Sequence, residues 1–436
     1  MESYSTPTAP IEVATASADS KAAVEQPKSD KYIWGIYIFL CIISVIELYS
    51  ASSREVASST MGVYGPVVRH IFMLGAGCGI ILLIQRVHYR KFIPFIPAFA
   101  LISVIMMCYV MFFGEIVNGA RRSFSICGVT IQPSEFLKLS AALIIALIMS
   151  RTQIKGGVKN IGVIWSAIII MAFSGLLIKQ GMTNTILLMS ISLSMMVIGG
   201  IEWKKLGIVL LVYMVCCGIF MLIFKSGDDN EVTQEGTTVE RVDRSKTWQE
   251  RIDRYFGNGE PKYKQEINAK NRQEMFSYMA QANGGVIGVF PGNSRETARL
   301  PLAFSDFIYS IIVEDMGLIG GLFVLAAYLL LLGRASAISA KCSRVFPALL
   351  VMGMAVMIAF QALFHMAIVT GFFPVSGQPL PLISKGGTSI LITSIALGVM
   401  LSVSRHAVRN NEKRKEINDE INALPEELRA ANPTQL

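Results

Sequence analysis

The residues that could do chemistry are ionisable side chains set in or beside long apolar runs. Glu135 and Lys138 stand three apart at the start of one run, and Asp306, Glu314 and Asp315 stand at and inside another. Because an ionised side chain at membrane depth is costly, each needs a partner or a function. Glu135 and Lys138 share a helix face, either as a structural ion pair or as part of a substrate cavity. Asp306 either caps its helix or organises a cavity, whereas the last two lie too deep for capping and are expected in a buried polar network.

Two basic positions could hold an anion. Arg121 and Arg122 are adjacent in a polar segment between two apolar runs, and planar guanidinium groups suit phosphate oxygens. The alternative is that they anchor the chain to lipid phosphates. The second position is Lys385 together with the backbone N–H groups of residues 386–389, the last of which is Ser389. These residues begin a predicted helix, and the positive end of a helix dipole favours anions. The alternative there is an ordinary Gly-rich helix start.

The run from Pro374 to Ser389, rich in Pro and Gly, lies between two apolar runs. Such a run cannot form regular backbone hydrogen bonds, so beside a bilayer it must lie in a cavity lined by protein or water. One helical turn apart in the preceding run, Gln361 and His365 share a face that is expected to turn inward. The sequence therefore predicts a polar cavity at this end of the protein.

The elements that must position these residues are predicted from composition. The chain has 436 residues, of which 53% are hydrophobic and 16% charged, which is too apolar for an ordinary soluble protein. We predict an all-α, multi-pass membrane protein with about ten spanning helices. They fall near residues 32–51, 66–85, 93–114, 136–150, 161–178, 183–200, 207–224, 306–333, 345–370 and 387–404.

The distribution of Lys and Arg predicts the orientation. Basic residues collect in alternate short loops, and such loops stay on the cytoplasmic side. Both termini are therefore expected on the cytoplasmic side of the membrane, as a disordered tail over residues 1–31 and a tail over 405–436. The transmembrane domain covers 32–404, and its long loop, 225–305, is expected outside, between the seventh and eighth helices. The net charge of +8 reflects this topology and attraction to anionic lipid rather than nucleic-acid binding.

Four motifs occur in a fixed order along the chain. They are Asn118-Gly-Ala-Arg-Arg122 with Gln132-Pro-Ser-Glu135; Ser305-Asp-Phe-Ile; Glu314-Asp-x-Gly317; and Gly371-x-x-Pro374-x-x-Gly377-x-Pro379-Leu-Pro-x-x-Ser384-x-Gly386-Gly-Thr-Ser389. In order and spacing they resemble the SEDS family (shape, elongation, division and sporulation). The segment Gly284-Gly-Val-Ile-Gly288-x-x-Pro291-Gly-Asn-Ser294 resembles the division branch of that family most, with the elongation branch second.

The resemblance implies a peptidoglycan glycosyltransferase that polymerises lipid II into glycan strands outside the membrane. It also implies partners, namely a class B penicillin-binding transpeptidase and other divisome proteins. Such chemistry needs a carboxylate base for the attacking hydroxyl, positive charge for the leaving pyrophosphate and an apolar groove for polyprenyl chains. A divalent cation, Mg²⁺ or Mn²⁺, is expected to help at the phosphates, although no metal-ligand cluster is visible in the sequence.

The base is where this chain departs from the family pattern, because the family's Asp-Pro-x-Gly-x-Gly-Tyr segment is not visible. Three carboxylates of the long loop remain candidates: Glu266 by ungapped counting from Gly284, Glu260 because a proline follows it, and Asp253. For each of them the alternative is an ordinary solvated loop charge.

Three further positions differ from the family. Gln180-Gly-Met-Thr-Asn-Thr185 lacks a proline and a carboxylate, Phe290 stands where glycine is usual, and Lys385 replaces tyrosine. Two other functions stay open at this point: a lipid II flippase and a non-enzymatic divisome scaffold. Most of the promising polar residues are expected toward the outer face, which favours surface chemistry over transport.

Overall fold

The computed structural model describes residues 29–51, 64–117, 120–126, 129–178, 180–227, 266–268, 271–300 and 303–408. Most of the long loop and both tails therefore lie outside the described residues, as do the candidates Asp253 and Glu260.

Helices dominate the described residues, as predicted, and all ten predicted spans fall on long helices. Eight of them are long and apolar enough to cross a membrane. The other two are α6, an apolar helix of 17 residues, and α7, which begins beside Lys204 and Lys205. The helices are α1 (Lys31–Ala51), α2 (Tyr64–Ile84), α3 (Phe95–Phe113), α4 (Pro133–Arg151), α5 (Asn160–Ile178), α6 (Met182–Ile198), α7 (Trp203–Gly227), α8 (Arg272–Gly284), α9 (Ile308–Ala340), α10 (Val345–Val369) and α11 (Gly387–Val403).

Three of these helices form the centre of the bundle. About four fifths of α10 and α11 and two thirds of α4 are buried inside the protein, against less than a third of α2 and α3. The central helices carry small residues where neighbours approach, such as Gly353 on α10, beside the side chain of Met195 on α6. The peripheral helices expose large apolar side chains such as Phe72 and Phe112, as lipid contact requires.

The polar segment between α3 and α4, which holds Arg121 and Arg122, contains a small antiparallel sheet. Its strands are β1 (Glu115–Val117), β2 (Ala120–Ile126) and β3 (Val129–Ile131), in the order β1-β2-β3. Two of the three strands have only three residues each, too few to show an alternation in the sequence. Together with residues 303–307 and 371–386, this sheet lies at the end of the bundle that we call outer, after the predicted topology. A short hairpin, β4 (Gln153–Ile154) with β5 (Gly157–Val158), connects α4 to α5 at the other end.

Helix α9 is broken at Gly317, where φ is +71° and ψ is −176°. The break frees backbone groups that bond to residues 284–294, which we call the glycine-rich segment. Val289 N–H donates to Glu314 C=O at 2.9 Å, and Leu318 N–H donates to Gly285 C=O at 3.0 Å. A Cβ on Gly317 would lie 2.2 Å from the carbonyl oxygen of Val286. Only glycine allows both this conformation and this approach, which explains why glycines recur on both sides of the contact.

Candidate active site

The Pro- and Gly-rich run forms a re-entrant loop that turns into the helix bundle, as the sequence predicted. Leu380, Leu382 and Ile383 are at most 1% exposed. Side chains from three helices satisfy its carbonyl groups. The Ser44 hydroxyl on α1 donates to Ile383 C=O at 3.0 Å, the Tyr328 hydroxyl on α9 donates to Pro381 C=O, and a ring nitrogen of His365 on α10 lies 2.6 Å from Gln378 C=O.

The loop is also tied to the segment that precedes α9. The Ser384 hydroxyl accepts from the backbone N–H of Leu380 at 2.7 Å and donates to Ser305 C=O at 2.7 Å. The backbone N–H of Lys385 donates to Phe304 C=O at 3.0 Å. Irregular backbone that is bonded on both sides in this way is tolerated at membrane depth, and it holds residues 374–378 in place.

Those residues form one wall of an open pocket with a cavity volume of about 100 Å³. The start of α6 forms the opposite wall, and β2 contributes one charged group. Most of the lining is apolar, including Phe364 and Phe373, whose rings stack 5.4 Å apart. The polar lining residues are Arg122, Thr183, Asn184, Ser376 and Gln378.

Arg122 reaches this pocket, whereas Arg121 does not. Successive side chains of a strand point to opposite faces. The Arg122 Nε group donates to Gln180 C=O at 3.1 Å, next to the pocket wall. The Arg121 guanidinium instead donates to Phe112 C=O at the end of α3. The two arginines, predicted to act as a pair, are thus separated by the pleat of β2.

Asp306 lies behind the same pocket and does not cap α9. The N-cap position belongs to Phe307, and no side chain caps the helix. A Cβ placed on Gly377, a pocket residue, would lie 2.6 Å from Asp306 Oδ2, so the carboxyl group packs directly against that glycine. Burial raises the pKa of Asp306, while a hydrogen bond from the Ser305 hydroxyl at 3.0 Å and the charge of Arg122 lower it. Of the two sequence alternatives, the capping role is wrong.

Sequence reasoning missed two amides of the pocket. Gln378 Nε2 donates to Asn184 Oδ1 at 2.9 Å across the cavity. Gln378 Oε1 and both amide atoms of Gln180 are buried with no hydrogen-bond partner among the described residues. Asn184 and Gln180 belong to the stretch that departs from the family motif. That departure was the available signal, because a stretch with changed polar residues often lines a binding site.

Glu135 and Lys138 form the predicted ion pair, at 2.7 Å, inside the protein. Both side chains are buried, and Gln361 Nε2 on α10 donates to the second carboxylate oxygen of Glu135 at 3.0 Å. Neither residue lines the pocket described above. The geometry fits a structural pair that joins α4 to α10, while a substrate role stays a prediction.

The predicted anion site at the start of α11 lies against β3 and the segment that precedes α9. The Thr388 hydroxyl donates to Thr130 C=O at 2.7 Å and accepts from the Gln132 N–H at 3.2 Å. The Lys385 ammonium group lies 4.9 Å from the centre of the Phe304 ring. Ser389 is buried, and its hydroxyl has no partner among the described residues. Phosphate binding by Lys385 and Ser389 therefore stays a prediction.

Of the three candidate bases, only Glu266 is described. It is exposed, and its backbone carbonyl accepts from Asn271 Nδ2 at 2.9 Å, just before α8. The structure gives no contact between its carboxylate and the pocket. Within the described part of the chain, no group of three or more His, Cys, Asp or Glu side chains could hold a metal ion.

Comparisons with known proteins agree with this architecture. The family model for FtsW, RodA and SpoVE, described as cell cycle protein, matches residues 30–409. The probable peptidoglycan glycosyltransferase FtsW of Bacillus subtilis is 28% identical over 386 residues, which cover 87% of this chain and 91% of that protein. The peptidoglycan glycosyltransferase MrdB of Escherichia coli K12 is 25% identical over 375 residues, covering 85% and 92%.

Solved structures show the same fold. A peptidoglycan synthase complex that coordinates polymerization and crosslinking contains a chain with a TM-score of 0.64 and 20% identity, covering 87% of this chain and 98% of that one. The rod shape determining protein RodA of Thermus thermophilus gives a TM-score of 0.60 at 20% identity, covering 87% and 97%. The resemblance seen in the sequence motifs is confirmed: the chain belongs to the FtsW, RodA and SpoVE family of cell cycle proteins, also called SEDS.

Proposed function

We propose that this chain is a peptidoglycan glycosyltransferase that polymerises lipid II at the outer face of the cytoplasmic membrane. Family membership and the activity in its relatives' names support the proposal. The observation that carries it is the outer pocket, where Arg122 and the Asp306 carboxyl group flank a cavity with largely apolar walls. A lipid-linked sugar phosphate needs this combination, because it has a charged head and a polyprenyl tail.

Each part of the pocket has a role in this proposal. The Arg122 guanidinium neutralises charge that develops on the leaving pyrophosphate, since a planar fork of donors matches phosphate oxygens. The amide groups of Asn184 and Gln378 orient sugar hydroxyl and acetamido groups. Asp306 fixes the position of the wall at Gly377. The apolar lining holds the first part of the polyprenyl chain.

The base of the reaction is a carboxylate on the long outer loop. It removes the proton from the acceptor hydroxyl as that oxygen attacks the anomeric carbon of the donor, and the pyrophosphate leaves on the opposite side. Glu266, Glu260 and Asp253 are the candidates for this role. A divalent cation, Mg²⁺ or Mn²⁺, belongs to the proposal as an ion held mainly by the substrate's phosphates.

The proposal is tested by glycan strand formation from purified lipid II, with the protein and its transpeptidase reconstituted together. Single variants Glu266→Gln, Glu260→Gln and Asp253→Asn are compared with Glu202→Gln. Glu202 is exposed near the start of α7, at the other end of the bundle, and is paired with Lys205 at 2.8 Å. We expect one loop variant to abolish polymer formation while the Glu202 variant keeps it.

The same reconstitution separates the alternatives. Lipid II translocation in liposomes without polymer would support a flippase and overturn the proposal. If the unchanged protein makes no polymer, and if all three loop variants still bind the transpeptidase as it does, the results would support a scaffold. The proposal includes divisome partners, among them a class B penicillin-binding transpeptidase. The likeness to a synthase complex that couples polymerization to crosslinking supports this part. The proposal also includes an orientation with both termini in the cytoplasm.

A further inference from the structure

Two carboxylates that the proposed mechanism does not use lie between α1 and α9. Glu47 is one turn from the outer end of α1, and Asp315 stands two residues before the break at Gly317. Both residues have 0% exposure, and all four carboxylate oxygens lack a hydrogen-bond partner among the described residues. The two groups are close enough for the charge of Asp315 to act on Glu47.

The neighbouring Glu314 shows what a stabilised buried carboxylate looks like in this protein. Its two oxygens accept from the Ser294 hydroxyl at 2.5 Å and from the backbone N–H groups of Arg295 and Glu296 at 3.0 and 3.4 Å. Three consecutive residues, 294–296, thus converge on one carboxylate. The Glu314 oxygens are thus satisfied, whereas within the described part of the chain those of Glu47 and Asp315 have no comparable set of donors, although the Ser50 hydroxyl faces the Asp315 carboxyl group.

Two buried and unpaired carboxylates cannot both be ionised, because each negative charge lacks hydrogen bonds and repels the other. A single positive charge between them removes both costs. We propose that Glu47 and Asp315 form a buried binding site for one monovalent cation, either a proton or Na⁺, that connects α1 to the broken part of α9.

The site lies directly below the glycine-rich segment. The backbone carbonyl of Asp315 accepts from the Phe290 N–H at 2.8 Å, and the Ser50 hydroxyl, one turn after Glu47, accepts from the Gly292 N–H at 3.0 Å. Ser50 also faces the Asp315 carboxyl group. Loss of the cation therefore separates α1 from α9 and loosens the segment that both helices hold.

Other charged or titratable groups surround the site. Glu314 acts on Asp315 within α9. His70 of α2 lies 2.6 Å from the Ser44 hydroxyl, one turn before Glu47, and Arg69 is its exposed neighbour. Glu296, two residues after the glycine-rich segment, is buried beside Glu314. These groups are common to all the variants below, so differences between variants isolate the pair.

The test uses the full chain in lipid nanodiscs and measures its apparent Tm between pH 6.5 and 9 in choline chloride. The folded protein keeps a proton at the pair that the unfolded chain has released, so stability falls as pH rises. We expect the wild-type Tm to fall by about 3 °C or more over this range. Glu47→Gln and Asp315→Asn should reduce the fall, and Glu202→Gln, on the exposed opposite end, should not.

A second arm adds Na⁺ at pH 9 in place of choline. A saturable rise in wild-type Tm that both pair variants lose identifies Na⁺ as the ligand, and no rise together with the pH-dependent fall identifies a proton. Equal pH and Na⁺ responses in wild type and both variants would overturn the site. If neither variant folds, the wild type decides alone: the site is refuted if infrared spectra show no carboxylic-acid C=O band that titrates in this range and Na⁺ leaves the Tm unchanged.

Discussion

Replacing Gly377 by alanine tests whether the contact between the pocket wall and Asp306 matters for activity. The added Cβ would lie 2.6 Å from Oδ2 and 3.2 Å from Cγ of Asp306. An ordinary contact needs at least 3.4 Å, so the carboxyl group and the pocket wall must separate by about 0.8 Å. Asp306 is half-buried behind Gly377, and we expect the displacement to shift the pocket wall.

A displacement of about 1 Å in a group that positions substrate costs on the order of 10²-fold in rate. We therefore expect Gly377→Ala to lower kcat/KM for lipid II polymerisation by about 10- to 100-fold. The protein should remain folded, because a single methyl group at the rim of an open pocket can be accommodated by movement of the loop. The assay is glycan strand formation from lipid II by the reconstituted protein and its transpeptidase, with Tm measured in parallel.

Gly386→Ala is the matched control, because it adds the same methyl group to the same loop. A Cβ on Gly386 would have no neighbour closer than 3.5 Å, and its φ of −134° suits alanine. We expect this variant to keep nearly full activity. Equal activity in Gly377→Ala and Gly386→Ala would show that the position of Asp306 has no effect on the reaction, and it would refute the role assigned to this wall of the pocket.

Three further predictions concern stability. Lys138→Met should lower the unfolding free energy by roughly 3–5 kcal/mol, because it leaves Glu135 buried without its cation, and the double variant Glu135→Gln/Lys138→Met should regain most of the loss in denaturant titrations. Phe290→Gly should raise the unfolding free energy by roughly 0.5–1 kcal/mol, since Phe290 is exposed at a φ of +71°, whereas Phe290→Ala should not. Burial and the nearby His406 lower the pKa of His88, so stability should fall as pH drops below about 6.5, and Tm measurements should show a smaller fall for His88→Gln.

Much of the fold could be predicted from local patterns. The apolar runs predicted the ten long helices, because comparing the length of a run with the thickness of a bilayer identifies a spanning helix without tertiary information. The i, i+3 spacing gave the ion pair of Glu135 and Lys138 for the same reason. These features depend on contacts close in sequence. Phe290 stands where the family has glycine, and the structure shows its backbone at positive φ, a conformation that the sequence analysis did not predict.

The pocket could be predicted only in part, because it joins residues that are far apart in the chain. Arg122, Asn184, Asp306 and Gln378 come from four separate segments, and only packing of the helices brings them together. The direction of a side chain on a short strand also depends on register, so the sequence did not show that the adjacent Arg121 and Arg122 side chains point to opposite faces of β2.

Glu47 shows a different limit of the same reasoning. It stands inside the apolar run 32–51, which the sequence predicts to span the membrane. An ionisable residue in such a run is as strong a signal as Glu135. Its importance becomes visible only beside Asp315, because one isolated acid could have been satisfied by any donor on a neighbouring helix.

The bonding of the re-entrant loop explains how a Pro- and Gly-rich run can form part of a precise site. Its carbonyl groups at residues 378, 381 and 383 are bonded to side chains of α10, α9 and α1. Each of these helices is held in turn by a large apolar contact surface, so the loop acquires the rigidity of the bundle rather than that of its own backbone. The pocket wall is therefore fixed before substrate arrives, and binding energy is not spent on ordering it. The candidate bases lie on the separate long loop, so in the proposed function the bundle positions the binding half of the site and the loop carries the proton acceptor.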